Sequence, residues 1–239
     1  MHKLFEKTRQ LGADIQLAAD VKAVEKRDHG LQVRARIAGA EKTFEADLVV
    51  HGAGRVPDIE DLNLPAAAVE AEKRGIKVND YLQSVSNPAV YAAGDAAASG
   101  GPPLTPVAGY EGSIVAANLL EGNHVKARYV GIPTVAFTIP PLASMGLSEQ
   151  SAHQEGLKFR THREITSSWY SSRRVAEDCS GFKTLIEDGT DRIIGAHLLG
   201  PHAEEVINLF AFALAARAAD LRDSIFAYPT LASDIRYTL

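Results

Sequence analysis

Val90-Tyr91-Ala92-Ala93-Gly94-Asp95, followed after a Gly100-Gly101-Pro102-Pro103 loop by Leu104-Thr105-Pro106-Val107-Ala108, decides how this chain is read. The first segment predicts a buried strand of small residues with one carboxylate at its C-terminal end. The second predicts a helix start, with Pro106 in the first turn, where the missing N–H of proline costs nothing. Downstream, Val107, Tyr110, Ile114 and Leu119 to Leu120 are spaced to line one helical face, and Gly122-Asn123 ends the helix. A carboxylate at a strand end accepts hydrogen bonds from hydroxyls and can fix a sugar or polyol. Ala92, Ala93 and Gly94 leave room for a ligand to lie close to the backbone. A helix N-terminus carries about half a positive charge and free N–H groups, so it attracts an electron-rich oxygen. Ala-Gly-Asp alone occurs in many turns; strand, loop and Leu-Thr-Pro entry together are far more specific.

On these residues the chain resembles the FAD-dependent pyridine nucleotide–disulfide oxidoreductases, a family that includes glutathione reductase, dihydrolipoamide dehydrogenase and mercuric reductase. The match is to the family's second flavin motif. The resemblance implies that Asp95 holds the ribityl chain of FAD. It also implies that the backbone at Thr105 and the helix behind it face the pyrimidine edge of the isoalloxazine, where the helix dipole favours negative charge. Gly94, Asp95, Leu104, Thr105, Pro106, Val107 and Ala108 are the cofactor-binding candidates. The competing structural explanation is an ordinary strand–loop–helix unit with a capping Asp.

The length of 239 residues allows one large or two ordinary domains, and a hydrophobic fraction of 46% suffices for a substantial core. A formal net charge of -5 favours neither nucleic acid nor an anionic membrane as partner. No apolar run is long enough to span a bilayer, and no secretory signal is visible. The single cysteine, Cys179, excludes an intramolecular disulfide and fits a reducing, cytoplasmic compartment. It has no activating neighbour in sequence and reads as structural. The histidines show no metal-ligand spacing, so no metal site is expected.

Along the chain, residues 2–11 predict a helix stopped by Gly12. Val21 to Lys26 and Leu31 to Ile37 predict strands around a turn at Asp28-His29-Gly30. Thr43 to His51 predicts a further strand, ending in the apolar run Leu48-Val49-Val50, so that a small meander feeds a buried parallel strand. Gly52-Ala53-Gly54 is a poor dinucleotide loop, since the third glycine is missing and Arg55-Val56-Pro57 replaces the helix start. In the resembling family a Gly-Arg-x-Pro segment marks the exit from the NAD(P) domain, and Gly54, Arg55 and Pro57 match it. Ile76 to Asn79 predicts a short strand and Asn87-Pro88 a turn.

From about Ile132 the texture changes. Thr134 to Phe137 predicts a strand, Ser148 a helix N-cap, and Phe182 to Glu187 with Arg192 to Leu199 two strands around the turn Asp188 to Asp191. From Pro201 a helix should place Ala203, Val206, Ile207, Phe210 and Leu214 on one face. This region resembles the family's C-terminal interface domain, most densely at Phe137 to Glu149 and Gly195 to Ala203. Trp169 reads as packing, and Arg173 and Arg174 as solvated or interface charges. The expected fold is α/β and α+β: partial nucleotide-binding α/β segments followed by an α+β interface (dimerisation) domain. The resemblance divides the chain at 1–57 (rear of the NAD(P) domain), 58–125 (returning part of the FAD domain) and 126–239 (interface domain).

Members of the family are about twice as long, and their FAD pyrophosphate loop, redox cysteine pair and NAD(P) glycine loop lie in the half not matched here. None of the three is present in this sequence. The chain therefore reads as a fragment rather than a natural protein that lost its redox half, catalytically incomplete and retaining no cofactor of its own. FAD and NAD(P)H belong to the complete enzyme.

The segment Phe226-Ala227-Tyr228-Pro229-Thr230-Leu231-Ala232-Ser233-Asp234 qualifies the reaction. Disulfide reductases of the family carry His-Pro-Thr there, with a Glu three positions beyond Thr, because a leaving thiolate needs a group titrating near neutrality. Tyr228 stands at the His position and Ser233 at the Glu position. An ordinary phenol titrates near about 10 and is a poor base at neutral pH. Mercuric reductases resemble this pattern in carrying Tyr near that place. The expected activity is electron transfer from NAD(P)H through FAD to a small acceptor, a metal ion or quinone rather than a bulky disulfide, with Tyr228 the catalytic candidate. The alternative is a non-catalytic dimerising module without cofactor. A two-fold dimer through the helix from Pro201, Ile225 and Phe226 is expected, with Tyr228 directed at the partner's flavin across the interface and a cis bond between Tyr228 and Pro229.

Overall fold

A computed structural model of the chain describes residues 2–215, 217–228 and 230–239. Helix α1 (His2–Gln10) is closed by Gly12 at φ 93°, a conformation that glycine adopts without steric cost. Strands β1 (Ala19–Lys26), β2 (Leu31–Ile37) and β3 (Ala40–Ala46) form a sheet in that order, with Ala35 and Ile37 buried. The strand expected to reach His51 stops at Ala46, and Leu48 and Val50 are 74% and 82% exposed. An aliphatic run becomes a buried parallel strand only between neighbouring strands. None of the described strands pairs with Leu48 to Val50.

The chain divides into two compact units. One comprises Lys26–Leu31 and Glu45–Tyr129; the other is built on Val130–Leu239 with Gln32–Phe44 and the chain up to Glu25.

In the Glu45–Tyr129 unit, β4 (Ala71–Glu72) pairs with β5 (Gly75–Ile76), and Val69, Ile76, Ala92 and Ala97 form a small core. Val90 to Asp95 does not form the expected buried strand either. Tyr91 makes only an isolated bridge to Gln83, and Gly94–Ala96 is a single 3₁₀ turn. The reason is again the lack of a strand alongside among the described residues. Helix α2 (Thr105–Glu121) starts and stops as expected, with Gly122 as its C-cap. Its buried face differs. Val107, Glu111, Ile114 and Asn118 point inward, whereas Tyr110, Leu119 and Leu120 are exposed. Counting only apolar residues misses this stripe, because fully hydrogen-bonded polar side chains can be buried as well. Asn118 is such a case. Its amide donates to the Tyr81 and Val125 carbonyls at 3.0 and 2.9 Å. Its oxygen accepts the His124 and Val125 N–H groups at 3.0 and 2.9 Å.

In the C-terminal unit, β6 (Thr134–Ala136), β7 (Leu142–Gly146), β8 (Phe159–Ile165), β9 (Gly181–Glu187) and β10 (Ile193–Leu199) form an antiparallel sheet in the order β6-β7-β10-β9-β8. Helix α3 (Glu149–Gln154) is N-capped by Ser148, whose Oγ accepts the Ser151 N–H at 3.0 Å. Helix α4 (Tyr170–Arg173) leads into β9, and α5 (Ala203–Phe212) and α6 (Ala218–Asp223) follow β10. Helix α5 buries Ala203, Ile207 and Phe210 against the sheet residues Met145, Ile193, Ala196 and Leu198, with Val206 and Leu214 packed alongside. It begins two residues after Pro201, because His202 takes a left-handed conformation at φ 57°. Trp169 packs on Phe182 and Tyr237. Cys179 is buried, which pushes its thiol pKa up and keeps it protonated.

Candidate functional site

The candidate cofactor residues come together at the start of α2. Gly94 takes φ 66°, and a Cβ there would lie 3.0 Å from the Ala108 Cβ, so the loop rests directly on the first turns of the helix. Gly75 presses on the same loop from β5: a Cβ there would sit 2.4 Å from the Ala96 carbonyl oxygen. The Ala98 N–H donates to the Ile76 carbonyl at 2.9 Å. Asp95 projects into solvent at the turn, and Thr105 and Pro106 are exposed at the helix entry. Leu104 is the N-cap in extended conformation with no side-chain cap, leaving the first-turn N–H groups of α2 unclaimed by a capping side chain. Val107 is buried, so its side chain serves the packing of the unit.

Behind this loop lies a residue that no motif marks in the sequence. Glu111 is 1% exposed. Its Oε2 accepts the Gly94 N–H, and its Oε1 accepts the hydroxyls of Ser99 and Tyr129, each at 2.6 Å. Its position one helical turn beyond Val107 on the buried stripe was the available signal.

The second candidate, Tyr228, belongs to the C-terminal unit. It is 78% exposed, and its ring centroid lies 6.4 Å from that of Tyr170. The expected cis bond falls on Pro229, outside the described residues. Ser233 is buried and turned inward, its hydroxyl donating to the Thr230 carbonyl at 2.5 Å. Thr230 in turn donates to the Ala227 carbonyl at 2.6 Å. Ile225 is 98% and Phe212 93% exposed, whereas Phe226 is partly buried against the core.

The family profile described as pyridine nucleotide-disulphide oxidoreductase matches residues 3–112, and that of the same family's dimerisation domain matches residues 132–238. The chain belongs to the pyridine nucleotide–disulphide oxidoreductases. Among its relatives, an "Uncharacterized 19.7 kDa protein in mercuric resistance operon" of Staphylococcus aureus is 48% identical over 180 residues, covering 74% of this chain and 100% of the relative. Dihydrolipoyl dehydrogenase of Staphylococcus aureus is 35% identical over 93% of this chain and 47% of its own length. Mercuric reductase of the same organism is 33% identical over 97% of this chain and 42% of its own length. The chain thus spans about half the length of the curated enzymes it matches. The solved HOCl-induced flavoprotein disulfide reductase RclA from Escherichia coli shares the fold, with a TM-score of 0.83 over 99% of this chain and 54% of that one, at 23% identity. The family and these enzymes are oxidoreductases, and complete members use FAD and NAD(P)H. The dimerisation domain supports formation of a homodimer. Among the described residues no group of His, Cys, Asp and Glu could hold a metal ion, and no helix is long and apolar enough to cross a membrane.

The residues present fit one end of FAD. The exposed Asp95 carboxylate and the open N-terminus of α2 suit a polyol chain and an electron-rich ring edge, while the Cβ-less side of Gly94 packs on Ala108 of the helix.

Proposed function

We propose that this chain supplies the ribityl- and ring-facing side of a flavin site, together with the subunit interface, of an oxidoreductase that passes electrons from NAD(P)H through FAD to a small acceptor. A metal ion or quinone suits it better than a bulky disulfide. Residues 1–57, 58–125 and 126–239 act as the rear of the NAD(P) domain, the returning part of the FAD domain and the interface domain. Bound FAD supplies the carrier between pyridine nucleotide and acceptor. Asp95 would accept hydrogen bonds from the ribityl hydroxyls, and the N–H groups of Thr105 and Val107 at the open start of α2 would offer positive potential to the ring edge. The buried thiol of Cys179 suits a cytoplasmic setting.

The observation that carries the choice of acceptor is the paired change at Tyr228 and Ser233. A disulfide acceptor needs an acid–base group held by a carboxylate. Tyr228 offers a hydroxyl donor on an exposed ring, and the Ser233 hydroxyl is engaged by its own backbone loop. The one relative described as lying in a mercuric resistance operon and the mercuric reductase support a metal-ion acceptor.

In the complete enzyme, Tyr228→Phe should slow the acceptor half-reaction by about ten- to a hundredfold, as expected for one lost hydrogen-bond donor, with the NAD(P)H half-reaction unchanged. Stopped-flow measurement of the two half-reactions separates them. Equal loss in both would mean damage to the fold or dimer, and no loss in either would reduce Tyr228 to packing. Faster turnover with glutathione disulfide than with Hg(II) would contradict the choice of acceptor.

A further inference from the structure

Glu111 lies in the middle of the buried face of α2, and the partners that hold it are three neutral donors. Burying a carboxylate without a cation is costly, and an apolar side chain of similar volume would fill the position with less penalty. The carboxylate is explained by what it holds. Its bond to the Gly94 N–H fixes the peptide that precedes Asp95. Its bonds to Ser99 and Tyr129 fix the other end of the same loop. Ser99 Oγ also accepts the Gly101 N–H at 3.2 Å, and the Tyr129 ring covers Gly101 so closely that a Cβ there would lie 2.7 Å from Tyr129 Cε1. Burial, together with the hydrogen bond to Glu111, pushes the Tyr129 hydroxyl pKa up to about 12, so it remains a donor at physiological pH.

We propose that Glu111 is the positioning residue of the flavin site: from the buried side it clamps the Gly94 to Gly101 loop onto α2, so that Asp95 and the helix entry at Thr105 present one fixed geometry to the ligand. The purpose of the clamp rests on the flavin reading of Asp95; its geometry does not. A site held in place before the ligand arrives loses less entropy on binding. Glu111 touches no ligand atom in this account and acts only through Gly94, Ser99 and Tyr129.

Amide hydrogen exchange on the full 239-residue chain without flavin tests the clamp. Glu111→Leu removes the acceptor at similar volume, and Glu111→Gln keeps one oxygen but removes the charge. The Gly94 amide should exchange about ten- to a hundredfold faster in Glu111→Leu than in the wild type, as expected for a lost hydrogen bond to a charged group, with Glu111→Gln between them. The Ala92 amide, which donates to the Leu82 carbonyl at 3.0 Å, should keep its rate. Equal Gly94 rates in all three proteins would overturn the proposal. So would joint acceleration of Gly94 and Ala92, which would make Glu111 a stability residue only. If Glu111→Leu fails to fold, Glu111→Gln decides by the same comparison. FMN added to the wild-type chain separates the two claims. No FMN-induced change at Asp95 would count against the flavin reading while the exchange result still decides the clamp.

Discussion

His197 sits half-buried on β10, its Nε2–H donating to the Leu147 carbonyl at 3.1 Å. Burial lowers its pKa, and this outweighs the opposing pull of that carbonyl. Between the ordinary histidine value of about 6.5 and the lower folded value, the unfolded chain binds a proton that the folded chain does not. Stability therefore rises with pH through that window and falls on acidification below about 6.5. Urea denaturation between pH 5 and 7.5 should show a shallower acid loss in His197→Gln than in the wild type. Identical slopes would mean that His197 titrates alike in both states. Charged neighbours modulate the same group: Lys183 lowers its pKa further and Glu149 raises it, the two being paired at 2.7 Å.

At the scale of elements, α2 carries the lesson of the unit it organises. Asn118 closes four backbone groups at the C-terminal end of the helix. Asn118→Ala leaves them without partners and should cost about 2–3 kcal/mol, read as a lower denaturation midpoint with unchanged m-value. A loss under about 0.5 kcal/mol would show that water replaces the amide. The ends of α2 were legible in the sequence because Pro106 and Gly122 act locally. Its buried face was not, since Glu111 and Asn118 owe their burial to partners up to 37 positions away. The same distinction separates β9, β10 and α5, whose apolar patterns sufficed, from β7 and β8. Strand β7 (Leu142–Gly146) is short and follows two prolines, and β8 (Phe159–Ile165) is an edge strand with charged Arg160, Arg163 and Glu164, a composition that edges favour and that hides the strand signal. The runs Leu48 to Val50 and Val90 to Asp95 failed in the opposite direction: their composition suits strands, but pairing needs neighbours. At the candidate site, Asp95 and the Thr105 entry were legible as a motif. The clamp behind them required the fold.

At the scale of the molecule, the dimerisation domain leaves Phe212 and Ile225 almost wholly exposed in the single chain. Apolar side chains this exposed are suited to the core of an isologous contact. Sedimentation at micromolar concentration should give twice the 25.6 kDa chain mass, and Phe212→Asp with Ile225→Asp should return the monomer mass. A wild-type monomer would contradict the dimer, and an unaffected double variant would move the contact elsewhere.

The proposed flavin site stands on the Gly94-Asp95 turn and the α2 entry as its ribityl and ring side, without a pyrophosphate-binding glycine loop in this sequence. NMR titration of the 239-residue chain with FMN and with FAD tests it most directly. Weak, closely similar affinities are expected for both, with shifts at the amides of Gly94, Asp95, Thr105, Val107 and Ala108 that vanish in Asp95→Ala. Stoichiometric FAD that survives gel filtration, or flavin-induced shifts that leave these amides untouched, would contradict it.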